Sequence, residues 1–503
     1  MTTVLTIDLG TGGPKVAFVT TTGTVRWWEH TSVATTFGPG GLATQDAEHW
    51  WAVIRDSLAR GLSAVPAADV CAVAITGQWA STIPVDADGR PTGPCLMWLD
   101  EQGGPMSKQL VGGPVMGYHP ARLAQWLRRT GAVPTTTGAD PVGHMLFLEQ
   151  NPLPNTRWYL EPVDYLAMRF TRVAAATHAS MTGAWLTDNR DLSVMAYDDT
   201  LVALSGINPD RLPPLIPTSS VIGPIHPEVA VELGLPTDVQ VITGLPDLHA
   251  ACVGAGAVEL GQPHLSIGTT GWISAPVAAK RTDLLHQMAT VPGLDNRSYL
   301  LGNNQESAGR ALAWFRDAVA PDLTFEDLLA EAAGSPAGAR GVMFTPWIAG
   351  ERSPVENKQA RGGFHNISAE VTRADLTRAV LEGVAHNTAW LLGPSEKFIG
   401  KRLDPITVIG GGARSDLWLQ ILADVTGRSV RSPEQPLLSG IVGMGLVAGI
   451  AMGELDWPDV GGLVSTPRAF DPNPTTAALY AERQPWLPKI FGMHKGFFVR
   501  LNG

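Results

Sequence analysis

Short apolar runs separated by glycine-rich turns and by amphipathic segments divide the chain into predicted strands and helices. Residues 4–7, 16–19 and 25–28 are rich in β-formers and are joined by short turns, which predicts a three-stranded meander. Asp46 then precedes apolar residues at helical spacing, and residues 70–75 form the next apolar run. The first eighty residues therefore predict the order β-β-β-α-β, which is typical of an α/β protein.

The second half of the chain has a similar pattern. Residues 263–267 and 272–275 predict two strands on either side of a Gly-Thr-Thr-Gly turn. Residues 406–409 predict a strand that leads into three glycines, and Ser415 is placed to cap a helix that Gly427 ends. This recurrence indicates a second α/β unit.

A stretch rich in glycine and alanine, residues 250–261, lies between these two halves. We place the domain boundary there. The predicted domains are residues 1–252 and residues 253–490, followed by a C-terminal tail over residues 491–503.

Length and composition exclude several classes of protein. A chain of 503 residues exceeds what one hydrophobic core usually supports. Hydrophobic residues make up 44% and charged residues 17%, which excludes a disordered or coiled-coil protein. The net charge of −11, from 36 basic and 47 acidic residues, argues against a nucleic-acid partner.

The number of cysteines and the length of the apolar runs indicate the cellular compartment in which the protein is expected. The three cysteines are too few and too scattered for a disulfide framework, which fits a reducing cytoplasm. The N-terminal residues lack the basic and apolar regions of a signal peptide. The longest apolar stretch, residues 441–452, is too short to cross a bilayer. We therefore expect a cytoplasmic protein without a membrane partner; whether two copies form a homodimer is left open.

Residues 8–15, with the sequence Asp-Leu-Gly-Thr-Gly-Gly-Pro-Lys, form the strongest local signal for chemistry. Glycines let backbone N–H groups turn towards an anion, while Thr11 and Lys15 add donors. Asp8 would repel a phosphate but suits a hydrated Mg²⁺. The alternative is an ordinary glycine-rich hairpin with a surface aspartate and lysine.

Two further glycine clusters lie in the second half. The turn at residues 268–271 has the composition of a second phosphate-binding hairpin, although an empty β-turn is the alternative. A nucleoside could lie against the backbone of Gly410, Gly411 and Gly412, because glycine has no β-carbon to block it. Ser415 is placed at the N-terminus of the helix that follows. Neither a Walker A loop nor a Rossmann fingerprint is present, and residues 443–448 predict a small-residue helix packed on a sheet.

Two carboxylates are candidates for contact with a substrate. Asp247 lies between a predicted strand and a helix near the domain junction, where it could accept a hydroxyl proton. A helix cap is the alternative role for this residue. Trp98 and Asp100 combine an aromatic ring with a carboxylate, a common arrangement around a polyol; a core tryptophan with a surface aspartate is the alternative.

Taken together, these features predict phosphoryl transfer in a cleft. Two phosphate-binding hairpins, a nucleoside site and a carboxylate between them supply the positioning and the charge neutralisation from which such catalysis comes.

These residues, taken in order, resemble the FGGY carbohydrate kinases, within them the xylulokinase-like branch. The resemblance runs the length of the chain, and each motif is weak alone while the ordered set is specific. The motifs that carry it are Asp8-Leu9-Gly10-Thr11 with Lys15, Gly77-Gln78, Trp98-x-Asp100, Asp247, Gly268-Thr269-Thr270, residues 350–354, residues 360–364, residues 382–384 and residues 410–424.

The resemblance implies a fold and a set of site residues. It implies two actin/hexokinase-like (ribonuclease H-like) domains with ATP and sugar in the cleft between them. Asp247 would be the catalytic base, and Asp8 and Asp247 would help to hold Mg²⁺. The sugar would contact Gln78, Trp79, Asp100 and Asp247. ATP would lie against Gly10, Thr11, Lys15, Gly268, Thr269, Thr270, Gly309, Gly410, Gly411 and Ser415.

The sugar side departs from the family pattern while the phosphate side keeps it. Xylulokinases usually have Met-His after Gly-Gln, where this chain has Trp79-Ala80. The residue after the predicted base is Leu248 in place of asparagine, and Gln102 stands where the family has arginine. Specificity depends on a few hydrogen bonds in the pocket. The motifs therefore indicate the reaction class more firmly than the substrate.

We expect ATP-dependent phosphorylation of a small sugar, with D-xylulose as the leading substrate. Ribulose, xylitol, erythritol and glycerol are the alternatives within the same reaction class. A non-catalytic actin-like regulator would be expected to lose Asp8 and Asp247, and both are present. A repressor would need a DNA-binding module, and a dehydrogenase would need the dinucleotide fingerprint.

Overall fold

The computed structural model describes residues 2–502, which form two α/β lobes. The N-terminal lobe holds a mixed sheet in the order β11-β12-β6-β1-β2-β3, with β13 paired to β6. The elements of this lobe are β1 Thr3–Gly10, β2 Gly13–Thr20, β3 Val25–His30, β4 Thr36–Gly38, β5 Leu42–Gln45, α1 Ala47–Gly61, β6 Val70–Gly77, β7 Ile83–Val85, β8 Cys95–Leu96, α2 Gly104–Val111, β9 Gly112–Val115, α3 Pro120–Arg129, α4 Pro141–Gln150, β10 Trp158–Leu160, α5 Pro162–Thr171, α6 Asp199–Ser205, β11 Val221–Pro224, α7 Pro227–Leu233, β12 Gln240–Ile242, β13 Leu245–Pro246 and α8 Asp247–Gly254.

The C-terminal lobe is built around a second sheet in the order β15-β14-β22-β23-β24. Its elements are β14 His264–Ile267, β15 Gly271–Ser274, β16 Pro276–Val277, β17 Thr282–Asp283, β18 Met288–Pro292, β19 Tyr299–Gly302, α9 Gly309–Val319, α10 Phe325–Ala333, β20 Met343–Thr345, β21 Gly363–His365, α11 Arg373–Ile399, β22 Ile406–Ile409, α12 Asp416–Thr426, β23 Val430–Ser432, α13 Ser439–Ala451, α14 Val460–Leu463, β24 Arg468–Phe470, α15 Pro474–Arg483 and α16 Trp486–Asn502.

The first strand is buried on both faces, as its nearly continuous apolar sequence requires. Leu5 and Ile7 point into a cluster that α1 covers, while Val4 joins a second cluster formed with α8 and α13. β1 pairs antiparallel with β2 and parallel with β6, and β2 pairs antiparallel with β3. The predicted meander is confirmed, with two short strands, β4 and β5, inserted before α1.

The predicted helix ends are also confirmed. The Asp46 side chain accepts a hydrogen bond from the Glu48 N–H at the start of α1. The Ser415 hydroxyl accepts one from the Trp418 N–H at the start of α12, and Gly427 ends that helix in the left-handed conformation. Caps of this kind are local contacts, which explains why the sequence alone locates them.

Helix α13 belongs to the second half of the chain, yet it packs against α8 and the N-terminal sheet. A β-carbon on Gly443 would lie 2.1 Å from the carbonyl oxygen of Ala250, so only glycine permits this approach. Residues 443–448 are therefore a closely packed small-residue helix, as predicted.

Two of the predicted domain boundaries fall inside helices. The division after residue 252 falls in the last turn of α8, which ends at Gly254. The segment 491–503, predicted as a tail, overlaps α16, whose Leu487 and Phe491 pack with Trp347. Over residues 2–502 no helix has the length and apolar content needed to cross a membrane, and the three cysteines are free thiols.

Candidate active site

The turn between β1 and β2 carries the predicted phosphate-binding residues. Register places Asp8 opposite Lys15 and Gly10 opposite Gly13, and the Lys15 ammonium donates to Asp8 Oδ2 at 2.7 Å. Gly13 has φ of +124°, and a β-carbon there would lie 2.1 Å from the Thr31 carbonyl oxygen. The turn is thus shaped by glycine, with a half-buried ion pair at its base.

Thr11 at the tip of this turn is tied to the Trp98 loop. The Trp98 indole N–H donates to the Thr11 hydroxyl at 3.1 Å, and the Gln45 amide donates to the Thr11 carbonyl at 2.8 Å. A hydroxyl that accepts one hydrogen bond keeps its own proton for another acceptor. The tertiary fold therefore links the tryptophan motif to the predicted phosphate-binding turn, a contact that sequence spacing does not reveal.

Asp247 is the first residue of α8, directly after β13. Its side chain is open to solvent, and its Oδ1 accepts from the Leu248 N–H at 2.7 Å. Because protein surrounds the carboxyl group, desolvation raises its pKa to about 6, and the charge of Asp8 acts in the same direction. The Leu248 N–H and the Lys15 ammonium oppose that increase. The helix begins at Asp247 itself, so this residue does not occupy the cap position.

The second hairpin is confirmed between β14 and β15, where residues 268–270 form the turn. Helix α9 begins directly behind it: the Gly309 N–H donates to the Gly268 carbonyl at 2.7 Å, and the Ala308 N–H donates to the Thr269 carbonyl at 3.1 Å. A β-carbon on Gly309 would lie 2.6 Å from the Gly268 carbonyl oxygen. Gly309 therefore brings α9 against the hairpin.

The glycine loop at residues 410–412 lies at the same sheet edge as this hairpin. β14 and β22 are parallel, with Ser266 opposite Ile409, so their carboxyl ends coincide. Gly410 has φ of +88°, and a β-carbon there would lie 2.7 Å from the Ile267 carbonyl oxygen. Gly411 is exposed. The predicted nucleotide residues of the second half, Gly268, Thr269, Thr270, Gly309, Gly410, Gly411 and Ser415, are thus brought to one edge.

The residues predicted for the sugar have different environments. The Trp79 indole N–H donates to the Ser180 carbonyl at 3.0 Å, and its ring meets His249 edge-on at 6.3 Å. Gln78 is buried, and its Oε1 has no hydrogen-bond partner within residues 2–502. Trp79 therefore lies against α8, the helix that begins at Asp247.

Asp100 is fully buried, and its own loop occupies its oxygens. Oδ2 accepts from the Ala43 N–H at 2.8 Å and from the Gln102 amide at 2.9 Å, while Oδ1 accepts from the Gln102 N–H at 3.0 Å. Gln102 thus donates to this carboxylate through both its backbone N–H and its side-chain amide. The predicted sugar contact of Asp100 stays a prediction, and the observed bonds describe a residue that shapes the loop.

The carboxylates of Asp8 and Asp247 are the candidate ligands for Mg²⁺. Their charges interact, since Asp8 raises the pKa of Asp247. Residues 2–502 contain no cluster of three or more histidine, cysteine or acidic side chains suited to a metal. Mg²⁺ commonly binds through one or two carboxylates together with substrate phosphates and water. The two carboxylates fit such a site.

Sequence reasoning missed Glu161, which lies beneath the loop that carries Trp79. Its Oε2 accepts from the Ser81 N–H at 3.1 Å, although 80 residues separate them. In a sequence, an acidic residue before a proline is typical of an ordinary helix start. The sequence therefore carries no signal that would have placed Glu161 beside the loop of residues 79–81.

Comparison with known proteins identifies the family. Residues 3–254 match the N-terminal domain of the FGGY family of carbohydrate kinases, and residues 265–452 match its C-terminal domain. The chain belongs to this family. It is a carbohydrate kinase of the xylulokinase-like type, a phosphotransferase with an alcohol acceptor, and kinases of this family use ATP.

Named relatives differ in the acceptor. Xylulose kinase from Escherichia coli is 30% identical over 443 residues, covering 84% of this chain and 85% of the relative. Gluconokinase from Bacillus subtilis is 24% identical over 475 residues, covering 90% and 88%. A crystal structure of xylulose kinase from Lactobacillus acidophilus superimposes with a TM-score of 0.87 at 22% identity, covering 99% of this chain and 100% of that one. The fold is that of the actin/hexokinase-like sugar kinases.

Proposed function

We propose that this kinase transfers the γ-phosphoryl group of ATP to a hydroxyl of a small neutral ketose, with D-xylulose as the leading substrate. The observation that carries the proposal is the position of Asp247: a solvent-open carboxylate at a helix start, held by Leu248 and electrostatically coupled to Asp8. The similarity to xylulose kinases over most of the chain supports this choice of acceptor.

Asp247 acts in the proposed reaction as the general base. Its carboxylate accepts the proton of the acceptor hydroxyl while the hydroxyl oxygen forms a bond to the γ-phosphorus and the bond to the β-phosphate oxygen breaks. The products are the sugar phosphate and ADP. A carboxylate whose pKa lies near 6 is ionised at neutral pH and remains a stronger base than an ordinary aspartate.

The remaining site residues position and neutralise the nucleotide. The turns at residues 10–13 and 268–270 offer backbone N–H groups and threonine hydroxyls to phosphate oxygens, and Lys15 supplies a positive charge. The glycine loop at 410–412 leaves room for the nucleoside. Asp8 and Asp247 would hold Mg²⁺, which when bound offsets the charge of the phosphates.

A sugar acid is the second candidate acceptor. The similarity to gluconokinase over 90% of the chain favours it. The residues around the predicted acceptor pocket oppose it, because Gln78, Trp79, Ala80, Trp98, Asp247 and Leu248 include no cation to pair with a carboxylate. We therefore place the neutral ketose first.

A coupled assay of ADP release over a set of acceptors tests this function. The set contains D-xylulose, ribulose, xylitol, erythritol, glycerol and gluconate, with Mg²⁺ and ATP alone as the blank. We expect the largest kcat/KM for D-xylulose. Asp247→Ala and Asp247→Asn should each lower kcat by about 10²–10⁴-fold while the circular dichroism spectrum is unchanged. Release of ADP that is equally fast with and without every acceptor, or a near-normal kcat in both variants, would contradict the proposal.

A further inference from the structure

A buried glutamate between β20 and β21 accepts three hydrogen bonds from the protein. Glu351 is 1% exposed. Its Oε1 accepts from the Glu306 N–H at 3.0 Å and the Arg352 N–H at 2.9 Å, and its Oε2 accepts from the Asn387 amide at 2.6 Å. The Arg352 guanidinium pairs instead with the Glu306 side chain. Burial of a carboxylate costs free energy unless hydrogen bonds of this kind stabilise it.

The Glu306 N–H belongs to the loop at residues 303–308, which joins β19 to α9 and holds the second glycine turn. Gln305 exchanges two backbone hydrogen bonds with Gly271, at 2.7 and 3.0 Å. Two further N–H groups at the start of α9 donate to the Thr269 carbonyl, at 3.1 and 3.2 Å. The loop therefore fixes the backbone of the turn from its first residues to its last.

One peptide unit connects the glutamate to the turn. The carbonyl of Gln305 accepts from the Gly271 N–H, and the N–H of the same peptide, that of Glu306, donates to Glu351. A trans peptide is planar, and its C=O and N–H point in opposite directions. A rotation of this plane that breaks one of the two bonds would therefore also disturb the other.

The same loop is tied to helix α11, and this contact fixes the chemistry required at residue 351. The Gln305 amide donates to the Asn387 carbonyl at 2.8 Å, and the Trp347 indole N–H donates to Asn387 Oδ1 at 3.2 Å. Because the indole nitrogen can only donate, the Asn387 amide must turn its NH₂ group towards Glu351. Residue 351 thus meets donors at both ends, and a carboxylate accepts at both.

We propose that Glu351 is a positioning residue for phosphoryl transfer, which fixes the loop at residues 303–308 and, through it, the turn at residues 268–270 that binds the phosphates of ATP. The inference rests on the proposed function for the assignment of this turn to phosphate. Glu351 acts through the Gln305–Glu306 peptide rather than by contact with ATP. Placement of the phosphates matters because catalysis of phosphoryl transfer comes mainly from positioning and charge neutralisation.

Glu351→Gln tests this role with a change that is nearly isosteric. The new NH₂ group would face the NH₂ group of Asn387, which cannot turn over because Trp347 donates to its oxygen. Asn387→Asp supplies an acceptor to both neighbours, so the double variant Glu351→Gln/Asn387→Asp restores every donor–acceptor pair. We expect the single variant to lose the positioning and the double variant to recover it.

The measurement is the contribution of the phosphates to nucleotide binding, expressed as Kd of adenosine divided by Kd of a non-hydrolysable ATP analogue with Mg²⁺. Calorimetry is performed at pH 8, because burial raises the pKa of Glu351 to about 7 and the carboxylate is ionised there. The ratio should fall about 10–100-fold in Glu351→Gln. It should return to within about threefold of the wild-type value in the double variant. The KM of the acceptor should change by less than about twofold, while kcat/KM for ATP follows the binding ratio.

Two further variants separate positioning from general stability. Glu382 is also a buried carboxylate of this lobe, but it accepts from the Gly338 N–H and from Arg378, and no hydrogen bond within residues 2–502 joins it to the 303–308 loop. Glu382→Gln should lower the melting temperature and leave the binding ratio unchanged. Gln305→Met removes the donor to α11 and should lower the ratio about 3–10-fold, so it decides the proposal if Glu351→Gln does not fold.

The inference is overturned if Glu351→Gln, or Gln305→Met in its place, keeps the wild-type ratio. It is also overturned if Glu382→Gln lowers the ratio as much, or if the double variant does not recover it. A wild-type protein that binds the ATP analogue no more tightly than adenosine would overturn the phosphate assignment and the inference with it. Absence of ADP release with every acceptor would contradict the proposed function alone, since the binding ratios need no acceptor and still decide the role of Glu351.

Discussion

At the residue scale, the chemistry depends on the carboxylate of Asp247, which reaches solvent although many protein atoms surround it. Partial desolvation and the negative charge of Asp8 both favour its protonated form. The Leu248 N–H and Lys15 stabilise the ionised form. The balance leaves a base whose pKa is about 6, close to the range in which proton transfer from a hydroxyl is efficient at neutral pH.

The pH dependence of the reaction follows from this balance. Because the pKa of Asp247 is raised, the carboxyl group is protonated below about pH 6 and cannot accept a proton. We expect kcat/KM to fall about tenfold per pH unit below that value. The measurement is kcat/KM for the best acceptor between pH 5 and pH 8, with circular dichroism at each pH to show that the fold persists. A rate that stays level down to pH 5 would contradict the assignment.

At the scale of elements, glycines decide how closely helices approach their neighbours. A β-carbon on Gly443 in α13 would meet the Ala250 carbonyl of α8, whereas a β-carbon on Gly492 in α16 would have no atom within 4 Å. Both glycines lie in helix interiors, where replacement by alanine reduces the entropy of the unfolded chain. Their different surroundings therefore predict opposite effects of the same substitution.

This pair of glycines provides a matched test of α8–α13 packing. Gly443→Ala should destabilise the protein by about 1–3 kcal/mol, because the methyl group separates the two helices. Gly492→Ala should stabilise it by about 0.5–1 kcal/mol, because the methyl group meets open space. Urea unfolding of both variants gives the two values. Equal changes in the free energy of unfolding would show that α13 does not pack as described.

At the scale of the whole molecule, the two lobes are connected through α8 and α13. Helix α8 carries Asp247 at its first residue, and α13 packs on it from the second half of the chain. Gly440 in α13 also lies near Asp8, since a β-carbon on this glycine would be 3.8 Å from Asp8 Oδ2. A movement of one lobe relative to the other would therefore act directly on the two carboxylates.

Binding of both substrates should draw the lobes together and stabilise the protein. Closure over the phosphates excludes water from the reacting groups. We expect the radius of gyration in X-ray scattering to decrease when a non-hydrolysable ATP analogue, Mg²⁺ and the acceptor are added together. Saturation at 100 times Kd should also stabilise the folded state by about 2.7 kcal/mol, visible as a higher melting temperature. An unchanged radius with both ligands bound would contradict closure.

Local signals in the sequence were sufficient for much of the fold and for the two glycine turns that we predict to bind phosphate. The meander, the caps at Asp46 and Ser415 and the two glycine turns depend on contacts within a few residues, and all are present in the structure. The family motifs added the predictions that the chain has two lobes and that ATP is the phosphoryl donor. Short-range hydrogen bonds and backbone conformations are encoded locally, which is why they could be predicted.

Only the tertiary structure decided which distant residues contact the first glycine turn and the loop that carries Trp79. The bonds from Trp98 to Thr11 and from Ser81 to Glu161 join residues 87 and 80 positions apart, and no local pattern encodes them. The same holds for α13, which leaves its own half of the chain to pack on α8. Such contacts arise because apolar faces and polar groups find their partners only when the whole chain is compact. The motifs of the sequence therefore indicate the reaction class, whereas the contacts around Trp79 and Trp98 depend on the tertiary structure.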